Sequence, residues 1–208
     1  THFPCFNLHG SYFLKMYQDR SYVIALENGP DVNGMYVDEA SGGLSFRNYK
    51  EFLFLGGGAH RTGKAGCAWQ ELRRFAARYY PRAREEFAWA AQDCMTLDGI
   101  PYIGNYSKNT PHVFVATGFQ KWGMTSSMTA AMLLRDRLCG IQNPCAEVFS
   151  PSRSMLAPQL AVNAWEAAAG LLRPSKKRCT HMGCALKWNS AEHTWDCSCH
   201  GSRFSRDG

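Results

Sequence analysis

HVFVATGFQKWGMTSSMTAAMLLRDRLCG, residues 112–140, changes its repeat at a glycine turn. Before Gly118, Val113, Phe114 and Val115 form a short β-branched and aromatic run, the pattern of a buried strand. After Gly123, Met128, Met132 and Leu133 recur at helical spacing, with Thr125, Ser126 and Ser127 near the start. Gly140 supplies the stop. The stretch therefore predicts a strand feeding directly into a helix, and its surroundings decide which class of fold contains that pair.

Upstream, EEFAWAAQDCMTLDGIPYIG (85–104) is strand-like around a turn at Asp98-Gly99. Residues 67–80 place Trp69, Leu72, Phe75, Ala76 and Tyr79 at helical spacing, and Pro81 ends the run. The first 56 residues predict an antiparallel meander. Its first hairpin would turn at Gln18-Asp19-Arg20, and later turns fall at Ser41-Gly42-Gly43 and Asn48-Tyr49-Lys50. Downstream, QLAVNAWEAAAGLL (159–172) predicts a short helix. Strands and helices in this order predict an α+β fold, mostly antiparallel sheet with packed helices. A boundary near Arg173-Pro174-Ser175 divides residues 1–173 from a small module, 174–208.

The 208 residues are 45% hydrophobic and 19% charged, ordinary for a globular protein. No apolar run approaches the roughly 20 residues that span a bilayer, and no signal peptide is seen, so a cytoplasmic location is expected. The formal charge is +6, but the cations are mostly dispersed, as in ELRRFAARYYPRAREEF (71–87), which argues against nucleic acid. The one local cluster is Lys176, Lys177 and Arg178. The chain opens on THFPCFNLHGSYF and ends on SRFSRDG, without a leader or a closing strand, and a C-terminal fragment of a longer protein is expected. Of nine cysteines, Cys5, Cys67, Cys94, Cys139 and Cys145 are scattered in apolar surroundings, as small buried hydrophobes are.

Two glycine-rich stretches imitate nucleotide sites and fail on one residue each. GAHRTGKA (58–65) has Ala65 where a phosphate loop needs a metal-binding hydroxyl. GGGAHR (56–61) has Arg61 where a dinucleotide turn needs its third glycine. Both read as a plain glycine-rich turn.

CTHMGC (179–184) and CSCHGSRF (197–204) hold the chemistry. Read as C-x-H and C-x-x-H, each offers one thiolate and one imidazole from a short loop. Such a set suits an asymmetric [2Fe-2S] cluster with two cysteines on one iron and two histidines on the other. It also suits a tetrahedral zinc site, although zinc gives Gly183, Cys184, Cys199 and Gly201 no role.

The two boxes resemble those of the Rieske iron–sulfur family, over about residues 176–208. The resemblance implies Cys179, His181, Cys197 and His200 as cluster ligands and a disulfide between Cys184 and Cys199. The family's strands before the first box and after the second are not evident here, so a minimal or truncated β-type module is expected. QDCMTLDGIPYIG (92–104) with HVFVATGFQKWGMTSSMTAAMLL (112–134) resembles the C-terminal part of FAD-dependent amine and amino-acid oxidoreductases, the D-amino-acid oxidase or glycine oxidase-like superfamily. That resemblance implies a substrate-domain sheet and a helix whose N-terminus aims at the flavin, with Gly118, Phe119, Gly123, Met124 and Thr125 as contacts. A helix N-terminus offers free N–H groups where reduced flavin is negative.

Together the resemblances imply an FAD-dependent oxidoreductase that oxidises a small amine or amino-acid-like substrate and exchanges electrons with a Rieske cluster. Partners would then be that substrate and a redox carrier. No catalytic acid or base is named by the residues; Tyr36, Arg47 and His60 are the candidates for pocket lining. The rival reading is a non-enzymatic Rieske electron-transfer protein with a docking domain.

Overall fold

The computed structural model describes residues 10–40, 43–66 and 68–207. A one-turn helix, α1 (Tyr12–Lys15), leads into β1 (Met16–Glu27), the longest-paired strand of a five-stranded antiparallel sheet. The sheet adds β2 (Met35–Val37), β3 (Ser45–Tyr49), β4 (Phe52–Arg61) and β5 (Arg84–Thr96), in spatial order β2-β3-β4-β1-β5. Helix α2 (Trp69–Tyr79) lies between β4 and β5 in the chain. A hairpin of β6 (Tyr102–Asn105) and β7 (Phe114–Thr117) precedes α3 (Gly123–Leu138), and α4 (Pro158–Leu172) follows. Three short strands close the described chain: β8 (Leu186–Asn189), β9 (Thr194–Cys197) and β10 (Arg203–Phe204), in order β10-β9-β8. None of the described helices is long and apolar enough to cross a membrane.

The expected class holds, an α+β fold of antiparallel sheets with packed helices. The expected turn at Gln18-Asp19-Arg20 does not. These residues sit inside β1, paired with β5 throughout (Gln18 opposite Cys94, Asp19 opposite Asp93, Arg20 opposite Gln92). Burial alternates along β1, with Met16, Gln18, Arg20, Tyr22, Ile24 and Leu26 on the covered face. That face serves two neighbours. Tyr22, Ile24 and Leu26 pack with Leu53, Leu55 and, from α2, Leu72 and Ala76. Burial of one such side chain is worth about 1.5–3 kcal/mol. Gln18 and Arg20 instead face the C-terminal module, which needs polar partners rather than apolar ones.

The turn at Asp98-Gly99 is present, with Gly99 at φ 76° and the Asp98 carboxylate accepting from Ile100 N–H. Of the expected turn residues, Ser41 and Gly42 lie outside the described residues. In α3, Leu133 and Ala130 meet Ile103 and Phe119 in a small core, while Met128 and Met132 are exposed. The helical spacing of Met128, Met132 and Leu133 was therefore right, but they do not share a covered face. Cys94 is fully buried, as expected. Cys139 and Cys145 are exposed, because one follows the last turn of α3 and the other sits in a surface turn. Cys5 and Cys67 lie outside the described residues.

Candidate iron–sulfur site and flavin-facing loop

The two boxes fold into near-copies of one loop. In the first, Cys179 N–H donates to Cys184 O (2.8 Å) and Gly183 N–H to Cys179 O (2.9 Å). In the second, Cys197 N–H donates to Ser202 O (2.8 Å) and Gly201 N–H to Cys197 O (2.8 Å). The fifth residue of each is a glycine at φ 71° and 72°, a conformation that costs an L side chain about 1–2 kcal/mol. The hairpin β8–β9 sets the loops side by side, and β10, the last two residues of the second box, pairs with β9.

Cys179, Cys184, Cys197 and Cys199 are buried in one cluster with Leu186. Among the described residues, the side-chain donors of Cys184, Cys197 and His200 lie within 4.8 Å of one another. The rings of His181 and His200 meet edge to face at 4.7 Å. The hydrogen bond from the Cys199 thiol pulls Cys197 well below the ordinary thiol range, against the effect of burial, and His200 adds to the pull. The same contact, with burial, pushes Cys199 far up. A thiolate-prone sulfur among soft S and N donors fits an iron–sulfur group, since the thiolate is the metal-binding form. Cys184 and Cys199 are both free thiols here. They are also neighbours: a methyl added at Gly170 of α4 would lie 2.7 Å from the Cys199 sulfur and 3.7 Å from that of Cys184.

The module is seated on the covered face of the main sheet. Arg20 grips the Glu192 carboxylate with two nitrogens, Nε at 2.9 Å, and Arg203 adds a bond at 3.0 Å. Burial alone would raise the Glu192 carboxyl, but Arg20 and Arg203 together outweigh it and hold the group below its ordinary value. Gln92 Nε2 donates to Gly201 O at 2.9 Å while its Oε1 accepts from Thr62. A Cβ at Gly201 would fall 2.4 Å from Gln18 Cγ, and one at Gly63 2.8 Å from Ser198. Helix α4 completes the seat: Ala185 N–H donates to Gly170 O (2.8 Å), and Asn163 ties α4 to Leu14, Met16 and Arg61. Arg20, Gln92 and Glu192 were not read as site residues in the sequence. The available signal was a polar trio, Gln18-Asp19-Arg20, inside an otherwise apolar strand.

On the opposite face of the sheet lies an open hollow of about 770 Å³, lined by Tyr17, Asp19, Arg61, Asp93, Met95 and the loop Gln120-Lys121-Trp122 among others. His60 lines it too, whereas Tyr36 and Arg47 do not. The loop before α3 is held in an uncommon conformation, with Gly118 (φ 75°), Gln120 (52°) and Lys121 (68°) all left-handed. Two contacts hold it: Gln120 Nε2 donates to Thr96 Oγ1 (2.7 Å), and Lys121 pairs with Asp19 (2.9 Å). Of the expected flavin contacts, Gly123 has open space beside it, Met124 is 88% exposed and Thr125 is exposed. Phe119 is buried in the core beside Leu133 and Gly118 is buried against Thr96, and neither lines the hollow.

Residues 5–137 match the family model of the FAD dependent oxidoreductases, and residues 152–208 match the Rieske [2Fe-2S] domain. The chain is 35% identical over 260 residues to YhfW of Bacillus subtilis (strain 168), which is named as a Rieske 2Fe-2S iron-sulfur protein. The match covers 100% of this chain and 51% of that relative, so the chain spans about half its length. A stretch of 30 residues, 14% of the chain, is 50% identical to the chloroplastic cytochrome b6-f complex iron-sulfur subunit of Oryza sativa subsp. japonica, 13% of that protein. Glycine oxidase from Geobacillus kaustophilus superposes with a TM-score of 0.57 at 18% identity, covering 67% of this chain and 40% of its own. The two families imply FAD and a [2Fe-2S] cluster as cofactors. The chain belongs to the FAD dependent oxidoreductase family and carries a Rieske [2Fe-2S] domain fused to it.

Proposed function

We propose that a protein of this chain's make-up, with the extent of its longer relative, oxidises a small amine or amino-acid-like substrate and exchanges the electrons with its Rieske cluster. When bound, FAD accepts two electrons from substrate and the cluster carries one at a time. The observation that supports the reading is in β5. Gln92 holds the second box through Gly201 O, and its neighbour Asp93 lines the hollow on the other face. Successive strand residues point to opposite faces, so hollow and box are separated by one sheet, on the order of 10 Å.

In this reading Cys179, His181, Cys197 and His200 hold the cluster, and Cys184 pairs with Cys199 to fasten the loops. Backbone at Gly118, Phe119, Gly123, Met124 and Thr125 meets the flavin, where the first N–H groups of α3 favour negative charge. Lys121, pinned to Asp19, fixes that loop over the hollow. The flavin-family part is taken to residue 173, since α4 ends there and is tied to β1 and β4, with the cluster module at 174–208. The amine substrate is suggested by the structural neighbours, whose likeness to this chain is one of fold.

The test is a full-length protein analysed for iron and acid-labile sulfide, reduced with dithionite and examined by low-temperature EPR. A rhombic reduced-cluster signal is expected, lost in Cys179→Ser and kept in Cys184→Ser. Unreduced wild type should weigh two hydrogens less than after reduction, a difference absent from Cys184→Ser. A signal that survives Cys179→Ser and disappears with Cys184→Ser would overturn the ligand set in favour of the Cys184, Cys197 and His200 grouping.

A further inference from the structure

The two box histidines face different surroundings. His200 is 6% exposed and its ring lies 6.2 Å from Phe13 of α1, so it is turned toward the flavin-family part. His181 is exposed. The chain around it has no carboxylate from residue 167 to residue 191, while Arg173, Lys176, Lys177, Arg178 and Lys187 all fall within that span. Arg173, Lys176 and Arg178 are exposed. Among the described residues, none of Arg173, Lys176, Lys177 and Arg178 forms an ion pair. Arg178 donates only to backbone carbonyls, those of Gly183 (2.7 Å), Arg173 (3.2 Å) and Leu171 (3.3 Å). These bonds close the end of α4, and they also fix an uncompensated positive charge against the His181 loop. Lys177 is laid over the Trp195 ring at 5.9 Å.

We propose that this basic collar docks an acidic one-electron carrier protein, with His181 as the point of exchange. The inference rests on the cluster assignment above. One electron lost by the cluster is gained by the carrier, or the reverse, and no bond is made or broken. His200 and His181 would hold the same iron, His200 turned toward the flavin-family part and His181 exposed beside the collar. A collar of one sign raises the encounter rate with an oppositely charged partner and rejects like-charged ones.

The experiment uses full-length, cluster-loaded protein and two probes of opposite charge. They are plastocyanin, acidic and made redox-inert by cadmium in place of copper, and basic cytochrome c. At about 10 mM salt, where the screening length is roughly 30 Å, the protein should bind the cadmium plastocyanin at least 10-fold more tightly than cytochrome c. Arg173→Glu with Lys176→Glu should remove that preference, as should about 0.5 M salt, while leaving the EPR signal unchanged. Equal affinity for both probes, or a preference untouched by the double variant, overturns the docking surface. Binding to phosphatidylglycerol vesicles in place of plastocyanin overturns it in favour of a lipid surface. Absence of the EPR signal overturns the cluster reading itself, so the two failures are distinguishable.

Discussion

Gly183 and Gly201 share a backbone conformation and differ in their neighbours. Each closes its box at φ 71° or 72°, but nothing lies within 4 Å of a Cβ at Gly183, whereas one at Gly201 would meet Gln18 and Gln92. Gly183→Ala should therefore cost only the left-handed strain, about 1–2 kcal/mol. Gly201→Ala adds overpacking to that strain, about 2–5 kcal/mol in all. Urea unfolding of the two variants checks the ordering, and equal costs would mean that the second box is not seated on β1 and β5. The need for glycine at both positions was legible in the boxes themselves. The reason Gly201 is the more demanding of the two was not, because Gln18 and Gln92 are far from it in sequence and close only after the sheet forms.

At the scale of elements, β1 shows how local and long-range signals compete. Gln18-Asp19-Arg20 between two apolar runs has the composition of a turn, yet pairing along both edges of a 12-residue strand outweighs it. The polar residues mark where the strand's covered face changes partner, from the α2 core to the Rieske module. Arg20 and Glu192 are 9% and 11% exposed at their side chains, so removing one charge strands the other. Glu192→Gln should cost about 3 kcal/mol, at the low end for a broken buried pair because Arg203 and Asp196 pair independently. The pH dependence has a definite sign. Because the folded Glu192 carboxyl lies below its ordinary 4.5, its contribution is present above pH 4.5 and lost as pH falls through the folded value. Wild type should lose more stability than Glu192→Gln on acidification below about pH 4.5, as measured by thermal melts. A constant difference between the two across that range would remove Glu192 from the acid-sensitive set. Helix α3 was legible as a helix from its period, but period does not say which of two apolar faces is covered. Leu133 turned inward, and Met128 and Met132 turned out.

Across the whole molecule, both functional families were legible in short motifs whose residues stand next to one another in the chain. What was not legible is how the parts meet. The module sits behind the sheet through Arg20, Gln92 and α4, and the hollow with its Lys121–Asp19 loop lies in front. Arg20–Glu192, Gln92–Gly201 and Lys121–Asp19 join residues 172, 109 and 102 positions apart in the chain, and no local pattern encodes them. The proposed function makes a direct claim: electrons taken from substrate on one face reach the boxes on the other. The decisive measurement is rapid-freeze EPR of the anaerobic full-length protein, mixed with glycine, sarcosine and a panel of other small amines while flavin absorbance is followed. For any amine that bleaches the flavin, the reduced-cluster signal should rise with the bleaching or directly after it. Flavin that bleaches fully while the cluster stays oxidised would contradict the account.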